Sequence, residues 1–276
     1  MSGYGFLRQP RWLAFGFLVL LVLPSFFLLS RWQLQRLDDR RHFNDLVTTH
    51  SALAPVPVAT AMAAGAPAGS VGDEQRWLPV TASGRYDAGS TVLVRKRPLD
   101  GTNGFWVVTP FVTSVGTVLV VNRGWIEAAG SATDTQEVPA PPTGEVTLTA
   151  RIQPSEDAPA EQPGDLPPGQ VTDLSVPLVA GSATAFPGYV TLVTSTPAES
   201  PDLTALPLPD LSDGPHLSYA VQWIFFAGVA VVGFVVLIRR ESEYAAAELA
   251  AGHGSAPGQS GSASSAGTGA RPTDLG

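Results

Sequence analysis

HLSYAVQWIFFAGVAVVGFVVLIRR, residues 216–240, is the stretch around which the rest of the chain is organised. From Leu217 to Ile238 it carries no charge. At about 1.5 Å per residue this run reaches about 33 Å, enough to cross a hydrocarbon core of about 30 Å. Its inner half is plain apolar sequence closed by Arg239 and Arg240. Its outer end carries His216, Tyr219, Gln222 and Trp223, none of which an anchor alone requires.

A second apolar run, Trp12 to Leu29, lies near the start, interrupted by Pro24 and preceded by Arg8 and Arg11. A basic flank before an apolar run also describes a signal peptide. The run is long, however, and bulky Phe26, Phe27, Leu28 and Leu29 stand where small residues would mark a cleavage site. It therefore reads as an uncleaved membrane helix, in which a proline is tolerated. Orientation follows from charge. Arg239 and Arg240 follow the second run while Asp210 and Asp213 precede it, which puts the C-terminus in the cytoplasm. Two spans bring both termini to one side, so the central region is extracytoplasmic. No Arg- and Ser-rich amphipathic leader precedes the first run, so a bacterial plasma membrane is the simpler location.

The composition narrows the chemistry. Net charge is −8, without the basic character of a nucleic-acid binder. Cysteine is absent, which removes disulfides, thiolate metal sites and cysteine nucleophiles together. Methionine occurs only at Met1 and Met62, which argues against a thioether copper site.

The chain then divides as follows. Residues 1–11 form a cytoplasmic N-terminus, 12–30 a transmembrane helix and 31–50 a helical extension outside the membrane. The Ala- and Pro-rich stretch 51–72 reads as a linker with little structure. Residues 73–200 are β-rich, with strands expected at Arg76–Tyr86, Thr91–Arg97, Phe105–Thr113, Thr117–Ile126, Glu145–Ile152 and Tyr189–Thr196. Short strands with short turn signals between them favour antiparallel pairing, in a meander or small barrel. Loops are expected at 131–142 and 154–169, and 170–186 carries no clear signal. Residues 201–215 read as a linker, 216–238 as the second transmembrane helix, and 239–276 as a cytoplasmic disordered tail that opens with a short Ala/Glu helix. The fold class is thus an α+β membrane protein, with two transmembrane helices flanking an extracytoplasmic antiparallel β-rich domain.

Four histidines are present. His253 falls in the tail, and His42 and His50 lie two helical turns apart, too far for a paired metal face, so both read as surface residues. His216 differs. Helical spacing aligns it with Tyr219 and Trp223, with Gln222 beside them. An interfacial aromatic belt explains the tyrosine and tryptophan. The histidine and glutamine are better explained by helix-to-helix hydrogen bonding or by ligand contact, because polar groups entering lipid usually face protein, ligand or water. A neutral imidazole can ligate haem iron axially. Trp32 and Gln33 stand at the outer end of the first helix, on the same membrane face. Arg95, Lys96 and Arg97, with Arg123 and Trp125, end two strands. They read either as solvated strand ends or as a surface for an acidic partner or for haem propionates. No Gly-x-Ser-x-Gly elbow or phosphate loop occurs, and no histidine lies between Glu74 and Thr196, which leaves a hydrolase without a nucleophile–base pair.

Taken together, these motifs resemble the surfeit locus protein 1 family of cytochrome c oxidase assembly factors, over most of residues 12–240. The family's Gly-x-Trp-Gln is matched by Ser30-Arg31-Trp32-Gln33, followed by Arg36-Leu37, with serine in place of the usual glycine. Pro79-Val80 and Gly84-Arg85-Tyr86 match its first strand, and Gly104 through Phe111 its second pattern. Val121 to Ile126 carries the Val-Asn-Arg-Gly-Trp-Ile signature intact, and His216 to Trp223 the closing His-Leu-x-Tyr-Ala-x-Gln-Trp. The resemblance implies a non-enzymatic factor that handles or retains haem a while the oxidase's catalytic subunit matures. It implies His216 as axial ligand or haem contact, with Trp32, Gln33, Tyr219, Gln222 and Trp223 shaping the pocket. The implied partners are the catalytic subunit, haem a synthase and the lipid bilayer, and no nucleic acid. Two alternatives stay open. One is a haem-free scaffold that binds the oxidase through Arg95, Arg97, Arg123 and Trp125. The other is a membrane-anchored hydrolase.

Overall fold

The computed structural model describes residues 5–130, 136–158, 163–164 and 166–253. In chain order the elements are α1 (Pro10–Ser51), β1 (Val56–Pro57), α2 (Val58–Ala61), β2 (Pro79–Tyr86), β3 (Val92–Val94), β4 (Gly104–Thr113), β5 (Val118–Glu127), β6 (Val146–Pro154), β7 (Gln170–Val171), α3 (Val176–Ala180), β8 (Ala185–Thr196) and α4 (His216–His253). They form two compact units. One comprises the chain up to Arg36 together with the chain from Pro215, and the other is Leu37–Gly214.

The second unit is a barrel. β2, β6, β8, β5 and β4 pair in that order, and β4 returns to β2 through Gly84–Tyr86 against Phe111–Thr113. The crossing connections place it in the class of small Greek-key barrels that includes the OB-fold. Closure depends on Gly84, where a Cβ would lie 2.1 Å from the Val112 carbonyl oxygen. Val80, Phe111, Leu119, Val121, Leu148, Ile152 and Val190 fill the interior. Val120 and Tyr189 face the other way and are covered by Leu174, Val176 and Val179 from the β7–α3 segment. β5 is therefore buried on both faces, which is why TVLVVNRGWI shows little polar alternation.

Three expectations are corrected here. The sheet is mixed, not antiparallel, because β8 runs parallel to β5 through Val120↔Tyr189 and Val121↔Val190. The chain between β6 and β8 is long enough to wrap the barrel, whereas turn signals report only on neighbouring strands. Residues 51–72 are not a structureless linker. β1 pairs with β2, and Val58, Met62 and Val71 are buried in the barrel core. Residues 201–215 are also anchored. Thr204 exchanges backbone hydrogen bonds with Trp125, while Arg40 donates to the Ser212 and Asp210 carbonyls and Asn44 to that of Leu211.

The first unit is an antiparallel helix pair. α1 passes through Pro24 without a break, and α4 continues past Arg240 to His253, through the stretch where a short Ala/Glu helix was expected to open the tail. Alanine and glutamate, which dominate residues 243–251, are strong helix formers. Residues 254–276 of that tail lie outside the described residues. α1 and α4 are both long and apolar enough to cross a membrane, and their apolar windows are almost wholly exposed. Half-buried and buried positions include a series at alternating intervals of three and four: Trp12, Gly16, Val19, Leu23, Phe26, Ser30 and Gln33 on α1, and His216, Ala220, Trp223, Ala227, Ala230 and Phe234 on α4, with Phe15, Val22 and Gly233 half-buried beside them. That spacing is the seam of a left-handed helix pair. Three alanines on α4 let the backbones approach closely.

Candidate functional site at the outer end of the helix pair

The seam is tied at five levels. The Arg11 guanidinium pairs with Glu241 at 2.5 Å, and Phe15 meets Phe234 with ring centroids 5.5 Å apart. Phe26 stacks on Trp223 at 5.7 Å. Ser30 Oγ donates to the Ala220 carbonyl at 3.0 Å, with both residues buried. His216 Nδ1 lies 2.9 Å from Gln33 Oε1.

The last pair decides the chemistry of the imidazole. A carboxamide oxygen only accepts, so His216 Nδ1–H is the donor. In the neutral ring the other nitrogen, Nε2, then keeps its lone pair. No side chain among the described residues bonds to Nε2. The ring is half-buried and held at one nitrogen, as a ligand imidazole is held by its supporting hydrogen bond. One and a half to two turns deeper, the Trp223 indole N–H is buried without an acceptor.

The structure sorts the sequence-predicted residues into two groups. His216, Gln33 and Trp223 lie on the seam. Tyr219 and Trp32 are 45% and 49% exposed, and Gln222 is exposed too, so the three do not converge on the histidine. The expected common face was 216, 219 and 223; the observed one is 216, 220 and 223, because small Ala220 is what lets Ser30 reach the α4 backbone. Arg36 lies over the Trp32 ring, 5.8 Å from its centroid. Ser30 and Ala220 were missed as contributors. The serine standing in the family's glycine position was the signal for them, since a small residue at that position marks close helix approach.

The proposed partner surface is corrected more sharply. The Arg123 side chain is 0% exposed. Its Nε and Nη2 donate to Glu199, at 3.0 Å and 2.5 Å to Oε2, and its Nη1 donates to the Pro139 carbonyl at 2.9 Å. The guanidinium also covers the Tyr86 ring. Burial, and then the Glu199 charge, push the Tyr86 phenol well above its ordinary range. Trp125 is 8% exposed; its indole N–H donates to the Arg97 carbonyl at 2.6 Å. Arg97 stacks on Trp106 and pairs with Glu156. The Asn122-Arg123-Gly124-Trp125 motif is thus an internal staple that binds the barrel to residues 139, 199 and 204. Of that set only Arg95 is half-exposed and without an ion pair among the described residues. No signal in the sequence pointed to Glu199, which lies in a Pro-flanked loop 76 residues from its partner.

Two other histidines lie in the barrel unit. His42 lies 3.6 Å from Asp73, both exposed, and His50 Nδ1 donates to the Arg76 carbonyl at 2.7 Å. His50 is therefore half-buried and bonded, not a solvated surface residue as expected. No group of three or more metal-ligating side chains occurs among the described residues.

With the motifs placed, comparison with known proteins is decisive. The model of the SURF1 family matches residues 20–228. The chain belongs to the SURF1 family. SURF1-like proteins of Mycobacterium bovis and Mycobacterium tuberculosis are each 31% identical to it over 244 residues, covering 84% of this chain and 85% of theirs. A SURF1-like protein of Dictyostelium discoideum is 27% identical over 113 residues, covering 40% of this chain and 42% of its own. The family is associated in general with cytochrome oxidase assembly, and it is a family of assembly factors, not of enzymes.

Proposed function

We propose that this protein spans the membrane twice and holds haem a at the outer end of its helix pair while the catalytic subunit of a haem–copper oxidase matures. The observation that carries the reading is the His216–Gln33 bond. It leaves Nε2 as a lone-pair donor at the edge of the pair, which is what axial ligation of haem iron requires. The buried, acceptor-free Trp223 N–H is a second group suited to a polar ligand edge. Haem, when bound, would supply the iron that the imidazole coordinates. The protein's own part is to orient His216 through Gln33, to stack Trp223 on Phe26, and to keep the two helices close through Ser30. We place the protein in the plasma membrane with both termini cytoplasmic, on the strength of Arg239 and Arg240 behind α4. Its partners on this reading are the oxidase's catalytic subunit and haem a synthase.

The test is absorption spectroscopy of the intact protein purified after co-expression with haem a synthesis. Wild type carries a haem a spectrum, His216→Ala loses it, and Gln33→Leu retains less haem because the imidazole is no longer held. A wild-type protein without haem, or a His216→Ala variant that retains it, overturns the reading. The haem-free scaffold finds little support, since three of its four residues, Arg97, Arg123 and Trp125, are engaged internally.

A further inference from the structure

Gln222 has no use in the arrangement above. It lies six residues into α4 from His216, about 9 Å along the axis, and inside the uncharged run. It is exposed and makes no hydrogen bond to any described side chain. At about 100° per residue it falls roughly 120° round from the His216 seam, so it points away from α1. Its stripe is continuous: Tyr219, Gln222, Phe226 and Val229 repeat at intervals of three and four, and the first, third and fourth are 45%, 39% and 54% exposed; Phe226 borders the first seam, its ring 6.0 Å from that of Phe26. An apolar stripe at that spacing is a second packing seam. A carboxamide on it that faced hydrocarbon would leave two donors and an acceptor unsatisfied.

We infer that this stripe is the contact between two copies of the chain, paired in parallel about an axis normal to the membrane, with Gln222 of each bonded to Gln222 of the other. The carboxamide carries this inference. It is donor and acceptor at once, so it complements itself. A two-fold axis along the membrane normal brings identical residues to one depth without further adjustment. A heterologous helix would need a hydrogen-bonding side chain at that same depth. The inference rests on the membrane-spanning reading but not on haem.

The absence of cysteine makes the experiment direct. Phe226→Cys and Val229→Cys, on the stripe, are compared in native membranes with Val221→Cys and Val235→Cys on the opposite flank of α4, using oxidative cross-linking of the full chain. The stripe positions give a homodimer adduct and the opposite positions do not. Adding Gln222→Leu lowers the adduct about 3- to 20-fold, the range measured for interhelical hydrogen bonds in membranes, and Gln222→Asn restores part of it. Equal cross-linking on both flanks, indifference to Gln222→Leu, or a stripe adduct formed only with another protein overturns the inference. Carbonate washing of the same membranes separates this from failure to insert, which releases the chain from the pellet whatever its adducts.

Discussion

Arg123→Ala tests the claim that the family's most intact motif is an internal staple. The wild-type guanidinium is wholly buried, grips Glu199 through two nitrogens and donates a further bond to the Pro139 carbonyl. Truncation leaves the Glu199 carboxylate, 12% exposed, without its counter-charge. Breaking a buried pair from one side costs about 3–5 kcal/mol, because the remaining charge is uncompensated. For a folded unit of roughly 180 residues each kcal/mol moves Tm by about 2–4 °C, so the melt should fall by about 6–20 °C. The assay is tryptophan fluorescence during heating of the full chain in detergent, with exposed Arg85→Ala as control. Arg123→Met combined with Glu199→Leu should recover most of the loss, since an apolar pair of similar volume often replaces a buried ion pair at little cost. If Arg123→Ala melts with the Arg85→Ala control, or the double variant is no better than the single, the staple account is wrong.

Two further outcomes follow from the geometry. Ser30→Gly should remove one interhelical hydrogen bond, worth about 0.6 kcal/mol, and leave haem retention near wild type. Ser30→Leu should force the helices apart at Ala220 and lose haem, which spectroscopy of the two variants compares directly. Tyr86 and Tyr189, both pushed up by burial, keep their protons in the folded chain where an unfolded chain has lost them. Stability is therefore full below about pH 10 and declines as pH rises above it. Denaturant unfolding between about pH 8 and 11.5 should show a shallower decline for Tyr86→Phe than for wild type.

Much of the fold was legible because its signals are local. The uncharged runs at 12–29 and 217–238 announce themselves by length alone, and each barrel strand is a Val-, Thr- and aromatic-rich segment bounded by turn residues. Less legible was the stretch 51–72, where Val58, Met62 and Val71 enter the core from a background of alanine and proline that carries no period. The parallel β5–β8 pair was hidden for a related reason: pairing across a long connection leaves no mark in either strand. Part of the candidate site was readable, since His216, Gln33 and Trp223 were each singled out by residue type.

By itself, the sequence determined the two apolar helices, the strands between them, the exclusion of thiol chemistry and the residues worth watching. Each of these depends on composition or on a period within one element. The tertiary structure alone decided which of those residues meet. Arg123 reads as a free cation until Glu199 is brought to it from 76 residues away. Tyr219 and His216 share a helical wheel, yet only His216 faces α1, because the seam follows Ser30 and Ala220. Side-chain chemistry is written residue by residue, but whether a charge or a lone pair is spent inside the fold or left available depends on partners that no local pattern encodes.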